Sequence, residues 1–245
     1  MSSKVLSVIV PCYNEKDTII SLLNEVLKQP QVGEVIVIDD KSTDNSSNQI
    51  HSINDPRIRF IQNTVNKGKG FCVALGFNHA TMPYVLIQDA DLEYSPEEYG
   101  MLLAPLLADK ADVVFGSRFL SSSSRRVLYY WHRLGNNFLT TLSNIFTNID
   151  LTDMETCYKV MKNQIAKSLD IHERRFGIEP EITAKVAALK VRIFEVPISY
   201  NGRTYEEGKK ITWRDGFSAI RCIVKYNQRS QKHNQVLRYK EICGT

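Results

Sequence analysis

No run of about 18 apolar residues occurs anywhere in the 245-residue sequence, so no segment reads as a membrane-spanning helix. Met1–Lys4 leads into a short apolar run that Pro11 ends, too short for a signal peptide. The five cysteines (Cys12, Cys72, Cys157, Cys222 and Cys243) are odd in number, scattered, and contain no Cys-x-x-Cys pair. That pattern argues against a disulfide framework and a zinc site, and fits a reducing compartment. The five histidines show no metal-ligand spacing. Glycine is missing where a dinucleotide fingerprint needs it. The first apolar run is followed by Pro11-Cys12-Tyr13-Asn14-Glu15, and in the later Gly68-Lys69-Gly70 the third glycine's place is taken by Val73. No Walker P-loop is present either. A strong charge excess is also lacking: 31 basic against 27 acidic residues give +4, too mild to mark a nucleic-acid binder.

What is present is ordinary globular composition, 24% charged and 43% hydrophobic, with a chain long enough to bury a sizeable core without staples. In the first half, Leu6–Val10, Glu34–Ile38, Ile58–Ile61, Tyr84–Gln88 and Asp112–Phe115 are short β-branched runs bounded by turn residues, and read as strands. Helical patterns lie between them at about 15–28, 43–53, 68–80 and 95–109. Thr43 or Asp44 is placed to cap the second, and Ser95 followed by Pro96 to cap the fourth. Alternating strands and helices imply right-handed crossovers and an α/β fold, its mostly parallel sheet covered on both faces. The second half carries a long amphipathic stretch at 126–148, a helix at 179–189, a strand at Val191–Tyr200 and a helix at about 212–226. No linker marks a boundary, and no internal repeat is visible. Residues 1–224 therefore read as one domain with a C-terminal helical elaboration, and 225–245 as a basic tail. That tail holds Lys225, Arg229, Lys232, Arg238 and Lys240 against Glu241 alone, so the formal excess sits there. A frayed end is its plain reading, and attraction to an anionic membrane surface the functional one.

In an open parallel sheet, ligands bind beyond the carboxyl ends of the strands. Pro11–Glu15, Asp39-Asp40, Asn66–Gly70, Asp89–Glu93 and Gly116–Arg118 occupy those places. Asp89-Ala90-Asp91 is the sharpest signal. Two carboxylates at i and i+2 beside a core strand repel one another unless a hard cation such as Mg²⁺ or Mn²⁺ joins them. Such a cation would neutralise a departing diphosphate. A helix-capping turn before Ser95 is the plain alternative, as it is for Asp39-Asp40. Arg118 and Arg203 are candidates for phosphate recognition, because a guanidinium fork matches phosphate oxygens.

Together, Ser7–Glu15, Val35–Asp44, Asn66–Gly70 and Gln88–Asp91 resemble inverting glycosyltransferase family 2 in order and spacing. The resemblance covers about residues 5–220 and implies a GT-A nucleotide-sugar-binding fold. Gly116–Arg118, Asp153–Lys159, Phe176–Glu181 and Glu195–Arg203 resemble the dolichol- or polyprenyl-phosphate mannosyl- and glucosyltransferase branch. Carried over by position, the resemblance implies that Pro11, Tyr13, Glu15 and Asp40 line the base and ribose, with Lys67 and Gly68 beside the nucleotide. Asp89 would contact the donor or its metal, Asp91 would be the main ligand, and Glu93 a third. Arg118 would meet an acceptor phosphate, while Arg203 and Lys209 would close a loop bracketed by Gly202 and Gly208. Asp153 or Glu155 would serve as base if the acceptor were a hydroxyl. An ionised lipid phosphate would need none.

The aromatic segment Val127–Trp131 behind Arg125-Arg126 fits an interfacial helix, with packing on the core or in a homo-oligomer interface as the alternative. The expectation is a metal-dependent hexosyltransferase that uses a UDP- or GDP-linked sugar and a polyprenyl phosphate. It would be cytoplasmic, peripheral on the cytoplasmic face of a membrane. Transfer to a saccharide hydroxyl, or nucleotide-sugar binding without turnover, are the rival expectations.

Overall fold

A computed structural model describes residues 4–120, 126–127, 129–204, 206 and 213–244. The chain runs β1 (Leu6–Cys12), α1 (Ile19–Lys28), β2 (Val32–Asp39), α2 (Ser46–His51), β3 (Ile58–Gln62), α3 (Lys69–His79), β4 (Tyr84–Ile87). A single 3₁₀ turn, Pro96–Glu98, leads into α4 (Tyr99–Leu107) and β5 (Val113–Ser117). Then follow α5 (Tyr130–Thr147), β6 (Lys159–Lys162), α6 (Asn163–Ser168), α7 (Ile178–Ala188), β7 (Ile193–Pro197), α8 (Trp213–Tyr226) and α9 (Arg229–Cys243).

The strands form one seven-stranded sheet in the order β3-β2-β1-β4-β6-β5-β7. All pairings are parallel except those of β6, which runs antiparallel to both neighbours. Leu6, Val8, Ile9 and Val10 of β1 and Val35–Ile38 of β2 are fully buried. That is why both read as unbroken apolar runs: parallel strands covered on both faces have no polar side to alternate with. Ile9 also takes α3 very close, since a Cβ on Gly76 would lie 2.4 Å from its Cγ2.

The structure departs from the expected elements at β6, before α4 and in the tail, as well as in α6, which no expected helix covers, and in α2, whose N-cap is Asn45 and not Thr43 or Asp44. β6 has no counterpart among the expected strands, because Lys159 and Lys162 bracket only two apolar residues. Its place is made by tertiary pairing, with Lys159 itself buried and Lys162 bound to Asp112 at 2.7 Å. Ser95 makes no capping hydrogen bond, and the chain enters α4 through the 3₁₀ turn instead. The expected frayed tail is a helix: α9 packs on α6 and α7, with Gln235 buried and donating to the Ser168 carbonyl at 3.1 Å.

Candidate active site

The carboxyl ends of β1, β2 and β4, the end of β5 and the first turns of α3 and α7 converge on one rim. Loop geometry is fixed first. Asn14, at φ 55°, accepts from the Thr43 amide at 2.8 Å, and Ser42 and Ser46 bind the Asn14 and Glu15 amides, so the loops after β1 and β2 are tied together. Pro11 is half-buried and Tyr13 is exposed on this edge. Asp40 is buried and accepts from Asn63 Nδ2 and the amides of Lys67 and Gly68 at 2.8, 2.9 and 2.6 Å. Its carboxylate thus holds the 63–68 loop in shape. Gly68 sits at φ 91°, and a Cβ there would fall 2.1 Å from the Arg174 carbonyl. The 171–177 segment passes directly over the start of α3, and Glu181 fixes it by accepting from the His172 and Glu173 amides.

Asp89 and Asp91 leave β4 on either side of Ala90, with Leu92 at φ 61° completing the turn. Their partners differ. Asp89 faces Lys69 Nζ at 2.8 Å, and the same ammonium reaches Glu179 at 3.0 Å. Asp91 accepts from Arg203 Nη2 at 2.9 Å and from the Glu93 amide at 3.2 Å. Glu93 accepts from the Arg203 amide at 2.8 Å and from the Tyr200 hydroxyl at 2.9 Å. Glu15 lies 3.7 Å from Arg203 Nη1. One guanidinium therefore answers three carboxylates. Burial, with Asp89 and Glu93 nearby, pushes the Asp91 carboxyl up to about 7 even with Arg203 in contact.

This rim is short of positive charge, and its donors are hard oxygens, so it fits a divalent cation. Among the described residues, however, no group of three metal-competent side chains converges. Asp89 is engaged by an ammonium, and Glu93 by a hydroxyl and an amide. Asp91 is engaged by the Arg203 guanidinium and the Glu93 amide, and its raised carboxyl marks it as the group on which negative charge is most crowded.

A second cluster lies at the end of β5. Arg118 donates Nε and Nη2 to Asp153 at 2.6 and 2.7 Å, and Nη2 also reaches Asn136 at 3.2 Å. Asp153 is fully buried, with both carboxylate oxygens in this fork. Glu155 forms no hydrogen bond through its buried Oε1. Burial, then the neighbouring Glu179, pushes its carboxyl up to about 8. Tyr200 joins the two clusters: its ring lies 5.0 Å from the Arg118 guanidinium carbon, and its hydroxyl binds Glu93.

Lys67 lies beside the rim with its ammonium 4.2 Å over the Phe71 ring. Lys209 and Gly208, expected in the loop after Arg203, fall outside the described residues. Three side chains were missed by sequence reasoning: Lys69, Glu179 and the buried Lys159. Each lies inside a quoted motif, but Lys69 and Glu179 are 110 residues apart and only the fold joins them.

A model of glycosyl transferase family 2 matches residues 7–170. The chain belongs to glycosyl transferase family 2. Undecaprenyl-phosphate mannosyltransferase from Micrococcus luteus is 26% identical over 216 residues, covering 82% of this transferase and 85% of that protein. Dolichol-phosphate mannosyltransferase from Pyrococcus furiosus is 25% identical over 242 residues, 97% of this chain and 68% of the relative. Dolichyl-phosphate beta-glucosyltransferase from Trichomonas vaginalis is 26% identical over 214 residues, and the match spans 79% of this chain and 63% of that relative. Glucosyl-3-phosphoglycerate synthase from Mycobacterium tuberculosis, crystallised with Mn²⁺ and UDP-glucose, shares the fold of the transferase. The TM-score is 0.68 at 17% identity, over 99% of this chain and 80% of that one. The expected family and the GT-A α/β fold are both borne out.

Proposed function

We propose that this transferase moves a hexose from a UDP- or GDP-linked donor to a polyprenyl phosphate, with inversion and with a divalent cation, Mg²⁺ or Mn²⁺, at Asp91. The observation that carries this reading is the joining of an acidic, cation-deficient rim to the Arg118 cluster through Tyr200. A donor diphosphate suits the first half and an acceptor phosphate the second. The relatives named for transfer to undecaprenyl and dolichol phosphates support the lipid acceptor.

On the donor side, the tied loops after β1 and β2 give Pro11, Tyr13 and Glu15 a fixed edge for the base and ribose. Asp40 acts through the loop it braces, setting Lys67 and Gly68 against the nucleotide. Lys69 orients Asp89 toward the sugar end. Asp91, with Asp89 or Glu93 at most as a second protein ligand, would hold the cation. When bound, the cation supplies charge for the leaving diphosphate. Arg203, held now by Asp91, Glu93 and Glu15, is positioned to turn its guanidinium onto the diphosphate, and Lys209 would follow it on the same loop. Arg118, kept in orientation by Asp153 and Asn136, receives the acceptor phosphate. That phosphate is already ionised near neutral pH, so attack on the anomeric carbon needs no proton removed.

The lipid reading also accounts for α5. Tyr130, Trp131, Phe138 and Ile145 are exposed on it, and the Arg126 amide just before it binds the Tyr200 carbonyl at 3.0 Å. Asn136, on the opposite face of the same helix, touches Arg118, so α5 would join a membrane-facing apolar surface to the acceptor cluster behind it if the chain attaches to the cytoplasmic face of a membrane. No described helix is long and apolar enough to cross a membrane.

A saccharide hydroxyl is the second reading, because Glu155, at about 8, has the proton affinity of a general base. Labelled UDP- and GDP-hexoses, offered with short polyprenyl phosphates or with oligosaccharides, separate the two. The lipid reading predicts a glycolipid phosphodiester and free nucleoside diphosphate. Saccharide product alone, or no product, contradicts it.

A further inference from the structure

Three contacts fix Tyr200, which lies just beyond β7. Its hydroxyl donates to Glu93 Oε2 at 2.9 Å, its ring centroid lies 5.0 Å from the Arg118 guanidinium carbon, and the Tyr94 ring packs on it with centroids 5.3 Å apart. Tyr94 is buried and is held by the core in turn. Its hydroxyl accepts from the Cys157 amide at 3.2 Å, and its ring packs at 4.8 Å on Tyr158, whose hydroxyl donates to the buried Gln88 at 2.6 Å. The Tyr200 ring thus has a firm backing.

Its ring and its hydroxyl meet different partners. On the acceptor side, Asp153 and Asn136 accept from Arg118 Nε and Nη2. An aromatic ring attracts the guanidinium without taking any of its N–H donors, so it steadies the cation and leaves hydrogen bonds for an anion. A carboxylate in the same place would use those donors up. On the donor side, Glu93 brackets the 200–203 segment. Its Oε2 accepts from the Tyr200 hydroxyl, its Oε1 from the Arg203 amide at 2.8 Å, and its carbonyl from the Asn201 amide at 3.0 Å. That bracket sets where the Arg203 side chain starts, and Arg203 Nη2 reaches Asp91 at 2.9 Å. Burial, then the Glu93 charge, raises the Tyr200 phenol above its ordinary range, so it stays a donor to the carboxylate.

We propose that Tyr200 is a positioning residue for both substrates: its ring holds Arg118 ready for the acceptor phosphate, and its hydroxyl, through Glu93, holds Arg203 at the donor diphosphate. The two tasks are separable, because one resides in the ring and the other in a single oxygen. This rests on the nucleotide-sugar and lipid-phosphate reading above, and adds the residue that sets the two guanidinium groups relative to one another.

Steady-state kinetics with the nucleotide hexose and a short polyprenyl phosphate, each varied in turn, test this in wild type, Tyr200→Phe and Tyr200→Leu. Tyr200→Phe keeps the ring and loses the hydroxyl, so KM for the donor should rise about three- to tenfold while KM for the acceptor stays within about twofold. Tyr200→Leu loses both, and should raise KM for the acceptor about tenfold as well. A ring that served packing alone would not separate the two constants in this way. If Tyr200→Leu does not fold, Tyr200→Met, a longer apolar side chain without a ring, carries the same comparison. Acceptor KM raised equally by Phe and Leu, or unchanged in Leu, would overturn the ring's role. Unchanged donor KM in Tyr200→Phe would overturn the hydroxyl's. If wild type makes no glycolipid from any polyprenyl phosphate, the acceptor reading fails and this proposal with it. If wild type makes it and neither variant moves either constant, only the role of Tyr200 is refuted.

Discussion

Arg118 and Asp153 form the most tightly enclosed ion pair at the site, with Asp153 fully buried and both of its oxygens in the guanidinium fork. Removing the carboxylate leaves a cation in a dry place with only Asn136 to answer it. Asp153→Ala should therefore lower stability by about 3–5 kcal/mol, against less than about 1 kcal/mol for an exposed pair. Urea unfolding measures the difference, and a loss within the surface range would show that the pair does not organise this corner. At this scale the sequence was legible where chemistry sits in one short motif. Asp91, Arg118, Asp153, Glu155 and Arg203 all lie at the site. What the motifs did not convey is pairing. Asp40 read as a ligand-facing carboxylate, yet three donors from the 63–68 loop surround it. Lys69 bridges Asp89 and Glu179, a contact no local pattern contains.

Among the elements, α5 poses the clearest question. Trp131 is 75% and Phe138 57% exposed on a helix that packs on α7 and α8. Large aromatic side chains left in water on one face suit a headgroup layer, where apolar ring and polar edge are both accommodated. Flotation with anionic liposomes should carry the wild-type chain upward, and the double change Trp131→Ser and Phe138→Ser should leave it at the bottom. Equal flotation of both would remove α5 as the attachment surface. The strands β1, β2 and β4 were readable because burial on both faces demands continuous apolar runs. β6 was not, because lysines bracket its two apolar residues, and their partners, Asp112 for Lys162 and the Thr156 carbonyl for the buried Lys159, are met only as the strand pairs with β4 and β5. For the same reason α9 escaped notice. It has no sharply apolar face, and it is placed by contacts with α6 and α7.

Across the whole molecule, negative charge gathers at the carboxyl ends of β1 and β4, and positive charge gathers on α9, which bears Arg229, Lys232, Arg238 and Lys240. A mild net charge of +4 conceals this division. On the proposed function, one end of the fold would attract a cation with its diphosphate, and α9 would face an anionic surface. The account turns on the first of these: the rim around Asp91, now answered by the Arg203 guanidinium, takes a metal together with a nucleoside diphosphate. Calorimetric titration of UDP and GDP into wild type and Asp91→Asn, each with Mn²⁺ and with chelator, tests this directly. Wild type should bind one of the two nucleotides about tenfold or more tightly with Mn²⁺, and Asp91→Asn should lose that gain while remaining folded. Equal affinity with and without the metal in wild type, or an undiminished metal effect in the variant, would contradict the account.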